Sequence, residues 1–426
     1  MSKSINTIID VVATQLCTGC GACAFAEPQR YYMADTLDLG RRPFLRNDPA
    51  PESGEAIATC PGLALTHPRS MRERKGILPD LLDAWGPVLA VWEGYAIDPE
   101  IRFSGSSGGA ATALALFCIE RGGMSGVLHT GPREDIPYLN TTVYSKTRTE
   151  LLMRTGSRYA PASPCEGLDQ LESQNGQSVF IGKPCDVAAT QIAAARRPGL
   201  FEKLGLSIAF FCAGTPSVAG TLALLKRVGI DNPDTVKSLR YRGMGWPGRW
   251  TVRFSSKTEG DGDCEKQLSY AESWGFLQAY RPWRCYICPD HAGEFADVAV
   301  GDPWYRAVSE GEAGRSLIVA RSARGRDTIL AAEKAGFLVL ERCDPSLLPR
   351  SQPNLLQARG ALWGRLLALR IMGAPVPRYS GFPMMSFWWQ CLRPWQQVQS
   401  LLGTAKRVFR KKLRKRIVAT IWSKYK

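Results

Sequence analysis

From about residue 79 onward, short apolar runs alternate with helix-like segments. "PVLAVWEGYAI" (87–97), "SVFIGKPC" (178–185), "LSIAFFC" (206–212), "ADVAVGD" (296–302) and "RSLIVARS" (315–322) are short, β-branched and apolar on successive positions. They read as strands buried on both faces. Between them lie "GGAATALALFCIERG" (108–122), "DVAATQIAAARR" (186–197), "TLALLKRVG" (221–229) and "RDTILAAEKAG" (326–336), which suit helices. "VRFSSKTEGDGDCEKQLSY" (252–270) reads as a hairpin around a polar Gly/Asp turn. Strands backed by helices predict an α/β (α+β) core. Residues 1–78 lack such periodicity and are rich in Cys, Pro and polar residues, as in a small domain held by a cofactor. Pro345–Pro353 reads as a linker. From Gln396, Val398, Leu401, Leu402, Ala405, Val408, Phe409, Leu413, Ile417, Val418 and Ile421 follow helical spacing, predicting an amphipathic tail helix. The expected division is 1–78, 79–345 and 346–426.

Charge sharpens that division. The net charge is +15, but sixteen of the 54 Lys and Arg and none of the 39 Asp and Glu fall in 345–426. Residues 1–344 are therefore within one charge of neutral. A nucleic-acid-binding protein with structural zinc would need a basic body, so that class is set aside. No run approaches the roughly 18 apolar residues of a spanning helix, and no secretory signal pattern opens the chain. The expected location is the cytoplasm, with peripheral contact at the inner face of the membrane through 396–426. There Lys and Arg fill the polar face, and "GFPMMSFWWQCLRPW" (381–395) precedes them. A helix packed on the body, or one docking an acidic partner, fits the same pattern.

Thirteen cysteines in a reducing compartment point to metal or redox chemistry rather than disulfides. "CTGCGACAFAEP" (17–28) holds the ferredoxin spacing at Cys17, Cys20 and Cys23, but Glu27 stands where a fourth Cys would precede Pro28. In two-cluster ferredoxins that Cys serves the other cluster, and a remote Cys-Pro closes the first. "ATCPG" supplies it at Cys60, so one 4Fe–4S cluster is assigned to Cys17, Cys20, Cys23 and Cys60. The same thiolates suit zinc as an alternative, and Glu27 as a carboxylate ligand is a weaker one.

Other constellations are individually less specific. Cys285-x2-Cys288 lies in "RCYICPDHAGEFADVAVGDPW"; Cys185 and Cys212 stand at expected strand ends, where sites collect in α/β sheets. Cys118 reads as core. "FSGSSGGAATALA" (103–115) leads small residues into a helix, as a phosphate site requires, although a Gly/Ser cap on a core helix is the plainer reading. "TGSRYAP" (155–161) adds a turn with a cation and an aromatic ring, and "YRGMGWPGRW" (241–250) adds arginines and tryptophans able to pack on a planar cofactor. Of three histidines, His129 is the best placed for proton delivery; a satisfied structural histidine is the plainer alternative. His291 follows Cys288 closely enough to hydrogen-bond near it.

In order along 15–345, "CTGCGAC", "SGSSGGAAT", "GSRYAP", "GKPCDVAAT", "FFCAGTPS", "YRGMGWPG", "RCYICPDHAGEFADVAVGDPW" and "GRSLIVARSARG" resemble the coenzyme F420 hydrogenase/dehydrogenase beta-subunit family. That family includes 7-hydroxymethyl chlorophyll a reductases and bacterial relatives associated with polysaccharide biosynthesis. The resemblance implies an FAD-binding core with a ferredoxin-like extension. It implies a second 4Fe–4S cluster on Cys185, Cys212, Cys285 and Cys288. Flavin contacts are implied at Ser104, Ser106, Ser107, Gly108, Gly109, Gly156, Ser157, Arg158, Tyr159 and Lys183. Glu27 marks the departure from a two-cluster extension. The implied activity is that of an oxidoreductase. Electrons from an external donor such as reduced ferredoxin pass through two 4Fe–4S clusters to FAD and on to a small-molecule substrate, with His129 as the candidate proton donor. An electron-transfer subunit of a larger F420-reducing complex, without its own substrate site, is the alternative. No nucleic-acid partner is expected.

Overall fold

The computed structural model describes residues 4–256, 262–308 and 312–422. In chain order its strands are β1 (Tyr31–Thr36), β2 (Gly40–Leu45) and β3 (Ala64–Thr66), followed by β4 (Ala90–Ala96), β5 (Val127–Pro132), β6 (Asn140–Ser145), β7 (Ser178–Gly182) and β8 (Leu204–Phe210). Next come β9 (Val236–Arg240), β10 (Arg249–Ser256) and β11 (Gly262–Ser269), then β12 (Val298–Gly301), β13 (Ser316–Ala320), β14 (Leu338–Arg342) and β15 (Arg378–Ser380). Eight of them form one mixed sheet in the order β14-β4-β13-β12-β8-β7-β5-β6. β12, β8, β7 and β5 are mutually parallel, and the flanking pairs are antiparallel.

The apolar runs form the middle of this sheet because both of its faces are covered. Along β7, Val179 and Ile181 point into one core and Phe180 into the other; along β13, Ile318 and Ala320 oppose Leu317 and Val319. The helices Ala110–Glu120 and Ala323–Lys334 cover the first face, and the helix Pro184–Ala194 the second. Parallel strands enclosed in this way lose the alternation of half-exposed ones. Each fully buried Phe180, Leu206 or Ile208 contributes about 2 kcal/mol through removal of apolar surface from water. Cys118 is fully buried in the Ala110–Glu120 helix, as expected. The hairpin appears as β10 and β11 in a separate three-stranded sheet with β9; its expected Gly/Asp turn at 257–261 lies outside the described residues.

Two expectations for the C-terminal part are corrected. Residues 347–351 and 353–360, within and beyond the expected linker, are helical and packed on the body. The tail helix spans Pro394–Arg410 only. Beyond it Lys412 takes a positive φ of 52°, and the chain turns back to bond Ile417 N–H to Ala13 O and Trp422 N–H to Asp35 O. Leu413, Ile417, Val418 and Ile421 thus leave the helical register. Backbone pairing of β15 with β3 joins the C-terminal part to residues 64–66.

The firmest of these attachments is ionic. Arg359 is buried; its guanidinium pairs with Glu294 at 2.6 Å and donates to Pro289 O. Against burial, Arg359, His67 and Arg321 together hold the Glu294 carboxyl below the usual range. Removing one partner of a buried pair leaves an uncompensated charge. Arg359→Ala is therefore expected to destabilise the protein by about 3–5 kcal/mol, read as a fall in the urea unfolding midpoint. Arg359→Met with Glu294→Gln should recover much of that loss.

Candidate functional site

Four thiols gather near the N-terminus. Cys17 and Cys20 lie in a loop after the helix Ile8–Ala13, and Cys23 is carried by the helix Ala22–Ala26. Gly19 and Gly21 make that loop possible at φ of 76° and 93°; any Cβ at Gly21 would also meet Ser163 O at 2.9 Å. Cys60 arrives from the short helix Glu55–Ala58. A Cβ on Gly62 would stand 3.4 Å from both Cys60 Sγ and Cys17 Cα, so the Cys60-Pro61-Gly62 turn lies directly on the first loop. Burial, then repulsion from Cys20, Cys17 and Cys60, pushes the Cys23 thiol well up. Burial and the thiols of Cys17 and Cys20 push Cys60 to about 12.

Two neighbours of this set change its reading. Glu27 is buried, and its Oε1 accepts from Ser53 Oγ and from Ala56 N–H, both at 2.9 Å. It clamps the helix that delivers Cys60. Cys165, to which the sequence assigns nothing, is fully buried beside Cys20 and donates its backbone N–H to Cys20 O at 3.0 Å. Its thiol favours the Cys20 thiolate, whose pKa falls to about 7. Nothing in "PASPCEG" signals this, because the contact joins residues far apart in the chain.

The second set lies at the carboxyl edge of the sheet. Cys185 opens the helix after β7, Cys212 follows β8, and Cys285 and Cys288 flank the end of the short helix Trp283–Tyr286. All four line one chamber, together with Arg284, His291 and, from the N-terminal loop, Cys17. Burial, followed by Cys285 among the neighbouring thiols, lifts Cys212 to about 12. His291 bonds through Nδ1 to Cys212 O at 2.8 Å, while its Nε2 is buried without a partner. Burial holds this imidazole near pKa 4, so it is uncharged at neutral pH. Arg284 is buried between the two sets and donates to Pro61 O at 3.2 Å and Ile287 O at 3.3 Å. Each bond lands on the residue adjoining a cysteine, Cys60 or Cys288. Among the described residues, no three His, Cys, Asp or Glu side chains are grouped to hold a single metal ion.

Beyond this chamber opens a much larger cavity, with a free volume of about 1750 Å³ including its mouth. Ser106, Ser107, Gly109, Gly156, Ser157, Arg158, Tyr159 and Lys183 line it, as does His129. Ser104 and Gly108 do not: the Ser104 hydroxyl donates to Glu100 O, and Gly108 N–H donates to Ser316 Oγ. Gly109 begins the Ala110–Glu120 helix at φ 72°, where a Cβ would strike Ile101 O at 2.6 Å. Arg154 and Arg158 bring cations to the wall; Arg158 is held by the carbonyls of Leu239 and Pro137. The rim is aromatic. Trp304 stacks on Tyr270 at 5.5 Å and on Trp246, and Arg242 lies over both Tyr270 and Trp304 while pairing twice with Asp302, at 2.6 and 2.7 Å. His129 Nε2 meets Ser145 Oγ at 2.8 Å, and burial lowers its pKa to about 4. Ala162, Lys183, Cys212, Gly214 and Thr215 bound the chamber and the cavity alike. Asp186 at 2.6 Å and the Cys185 thiol outweigh burial and keep Lys183 charged.

Residues 91–168 match the model of the coenzyme F420 hydrogenase/dehydrogenase beta subunit N-terminal part, and 176–346 that of its C-terminal part. A coenzyme F420 hydrogenase subunit beta from Methanothermobacter thermautotrophicus is 22% identical over 66% of this chain and 94% of its own length. An F420-dependent formate dehydrogenase subunit beta from Methanococcus maripaludis is 23% identical over 59% of this chain; the match spans 61% of that relative. An uncharacterised protein of Methanocaldococcus jannaschii is 25% identical over 53% of this chain and 82% of its length. A solved chain of the F420-reducing [NiFe] hydrogenase complex from Methanosarcina barkeri has a similar fold, with a TM-score of 0.50, 19% identity and coverage of 65% of this chain and 91% of the other.

The clamp at Glu27 makes one prediction about local order. In Glu27→Ala, amide exchange at Ala56 and its neighbours should accelerate by about tenfold, the loss of roughly one buried hydrogen bond. Glu27→Gln retains an acceptor oxygen and should stay near the native rate.

Proposed function

Because the chain belongs to the coenzyme F420 hydrogenase/dehydrogenase beta-subunit family, we propose that it is an iron–sulfur and flavin electron-transfer subunit that works with a separate redox partner. The observation that carries this reading is the shared wall: two cysteine sets and a large cavity stand in contact, in one row. Cys17 of the first set opens onto the chamber of the second, and Cys212 of the second faces the cavity. The relatives with assigned names are beta subunits of a hydrogenase and a formate dehydrogenase, which favours this reading over a self-contained reductase with its own organic substrate.

The residues fit the groups proposed. Cys17, Cys20, Cys23 and Cys60 would hold one 4Fe–4S cluster, and Cys185, Cys212, Cys285 and Cys288 another. Burial disfavours the thiolate at Cys17, Cys23, Cys60, Cys185, Cys212 and Cys288, and positive metal charge would offset that burial, as in a ligand set. Cys185, Cys212, Cys285 and Cys288 surround one chamber, an arrangement that suits a cluster. FAD would lie in the large cavity, whose lining combines a glycine–serine helix start, arginines and an aromatic rim. Ser106, Ser107 and Gly109 at the helix start, with Arg154 and Arg158, suit a diphosphate. Charged Lys183 stands between the cavity and the chamber, where it would favour an anionic flavin ring. When bound, the clusters carry single electrons and the flavin couples these to a two-electron exchange. An external one-electron donor such as ferredoxin is the partner class proposed at the N-terminal set. His129, neutral and engaged by Ser145, serves better in holding β5 to β6 than as a proton donor.

Anaerobic purification with iron, sulfide, zinc and flavin analysis tests the reading. About eight irons and one flavin per chain, with little zinc, are expected. Cys60→Ser and Cys285→Ser should each halve the iron and remove different signals from the electron paramagnetic resonance spectrum. A reductive titration should stop after about four electrons, two on clusters and two on flavin. Continued consumption of reductant once a small organic acceptor is added, with no partner protein present, would instead identify a self-contained reductase.

A further inference from the structure

The helix Pro394–Arg410 has an inward face that does little apolar packing. The buried positions are Ser400, Thr404 and Val408, set against the helix Leu362–Ile371. Its larger apolar residues point the other way. Trp395, Val398, Leu402 and Phe409 recur at spacings of three, four and seven and form one ridge; Leu402 is 66% exposed and Phe409 65%. Trp389, 71% exposed, lies on the preceding helix Met384–Cys391, and Gln397 Nε2 donates to its carbonyl. The chain thus leaves two tryptophans, a phenylalanine and a leucine in water on two successive helices.

Cations flank that ridge. Lys406 and Arg410 lie beside it on the helix, and Lys411, Lys412, Arg414 and Lys415 follow directly, all exposed. No salt bridge among the described residues engages any of these six. The nearest acid pairing in the segment is Arg416 with Asp10. No Asp or Glu occurs after Asp344. No helix among the described residues is long and apolar enough to cross a membrane.

We propose that this ridge docks on an anionic lipid bilayer, lying in the interface with its tryptophans at headgroup level. The inference is independent of the redox reading above. Two features favour a bilayer over a protein partner. The surface is a ridge rather than a groove, and a deformable headgroup layer accepts such a shape without a matching cleft. Its charge is unbroken by any acid, so the complement it requires is uniform negative charge, as phosphatidylglycerol presents it.

Flotation of the full chain with phosphatidylcholine vesicles, and with vesicles carrying about a third phosphatidylglycerol, decides the matter. Recovery with anionic vesicles only, weakening as salt rises, is expected. Trp395→Ser, Leu402→Ser and Phe409→Ser together should lower the partition coefficient by at least about tenfold. Lys406→Gln, Arg410→Gln, Lys411→Gln and Lys412→Gln should lower it by about fivefold per base. Both sets alter exposed side chains, so the melting temperature should hold and folding is not the variable. Recovery equal to the vesicle-free control, or undiminished in both variants, overturns the proposal. Capture of an acidic protein by the ridge without lipid binding would assign it to a protein partner, which also overturns it.

Discussion

Buried arginines fix the backbone on which the rest of the molecule depends. The stretch from Trp283 to Asp302 carries two of the chamber's thiols, enters β12 and supplies the acid at the cavity rim. Each part of it is gripped by a guanidinium from elsewhere in the fold or from its own first turn. Arg284 spans Pro61 O and Ile287 O. Arg359 takes Glu294 and Pro289 O. Arg321, fully buried, donates to Ala292 O and to the carbonyls of Trp85 and Pro87. Arg242 closes on Asp302. Such charges are costly to desolvate and do not stabilise merely by being present. Their geometry does something else: a planar, multiply donating group accepts few arrangements of the carbonyls around it, so the loop is held in one shape.

That constraint explains what the sequence made legible. The interior strands were readable because enclosure on both faces demands uninterrupted apolar runs, as at Val179–Ile181 and Leu317–Ala320. The first cysteine set was readable because its spacing is local and its closing partner carries a proline. Cys185 and Cys212 could be marked at strand ends, but assigning them to one chamber with Cys285 and Cys288 required the family resemblance. Their meeting depends on strand order, β12-β8-β7, which periodicity does not encode. Cys165, Arg284 and Arg359 were invisible for the same reason: each acts across a long sequence separation. Ser104 and Gly108 differ from their neighbours in lying off the cavity wall. They sit in a glycine–serine run that does bend around the cavity, but a run has an inner and an outer side.

The tail misled in a more instructive way. Helical spacing from Gln396 was real as far as Arg410, and the expectation of one apolar face held. Which way that face points was not decidable from periodicity, because the body already offers the helix a seat lined by small side chains. Gly364 lets Ser400 approach so closely that a Cβ there would lie 2.1 Å from its hydroxyl oxygen. Small residues thus fill the inward side, and the large ones are left outside. Acid-free composition marks the segment as distinctive, but its backbone is woven into the body through β15, Ile417 and Trp422.

One contact gives this arrangement a consequence. Tyr286 lies between Cys285 and Cys288; Arg407 of the tail helix sits over its ring at 5.8 Å, and Arg365 donates to its carbonyl at 2.7 Å. The outward-facing helix and the loop bearing two thiols are therefore one mechanical unit, with a single aromatic ring as the coupling pin. Were the seating of that helix and the state of the thiols coupled through this ring, the coupling would act equally in both directions. Surface helix and chamber thus stand one tyrosine apart.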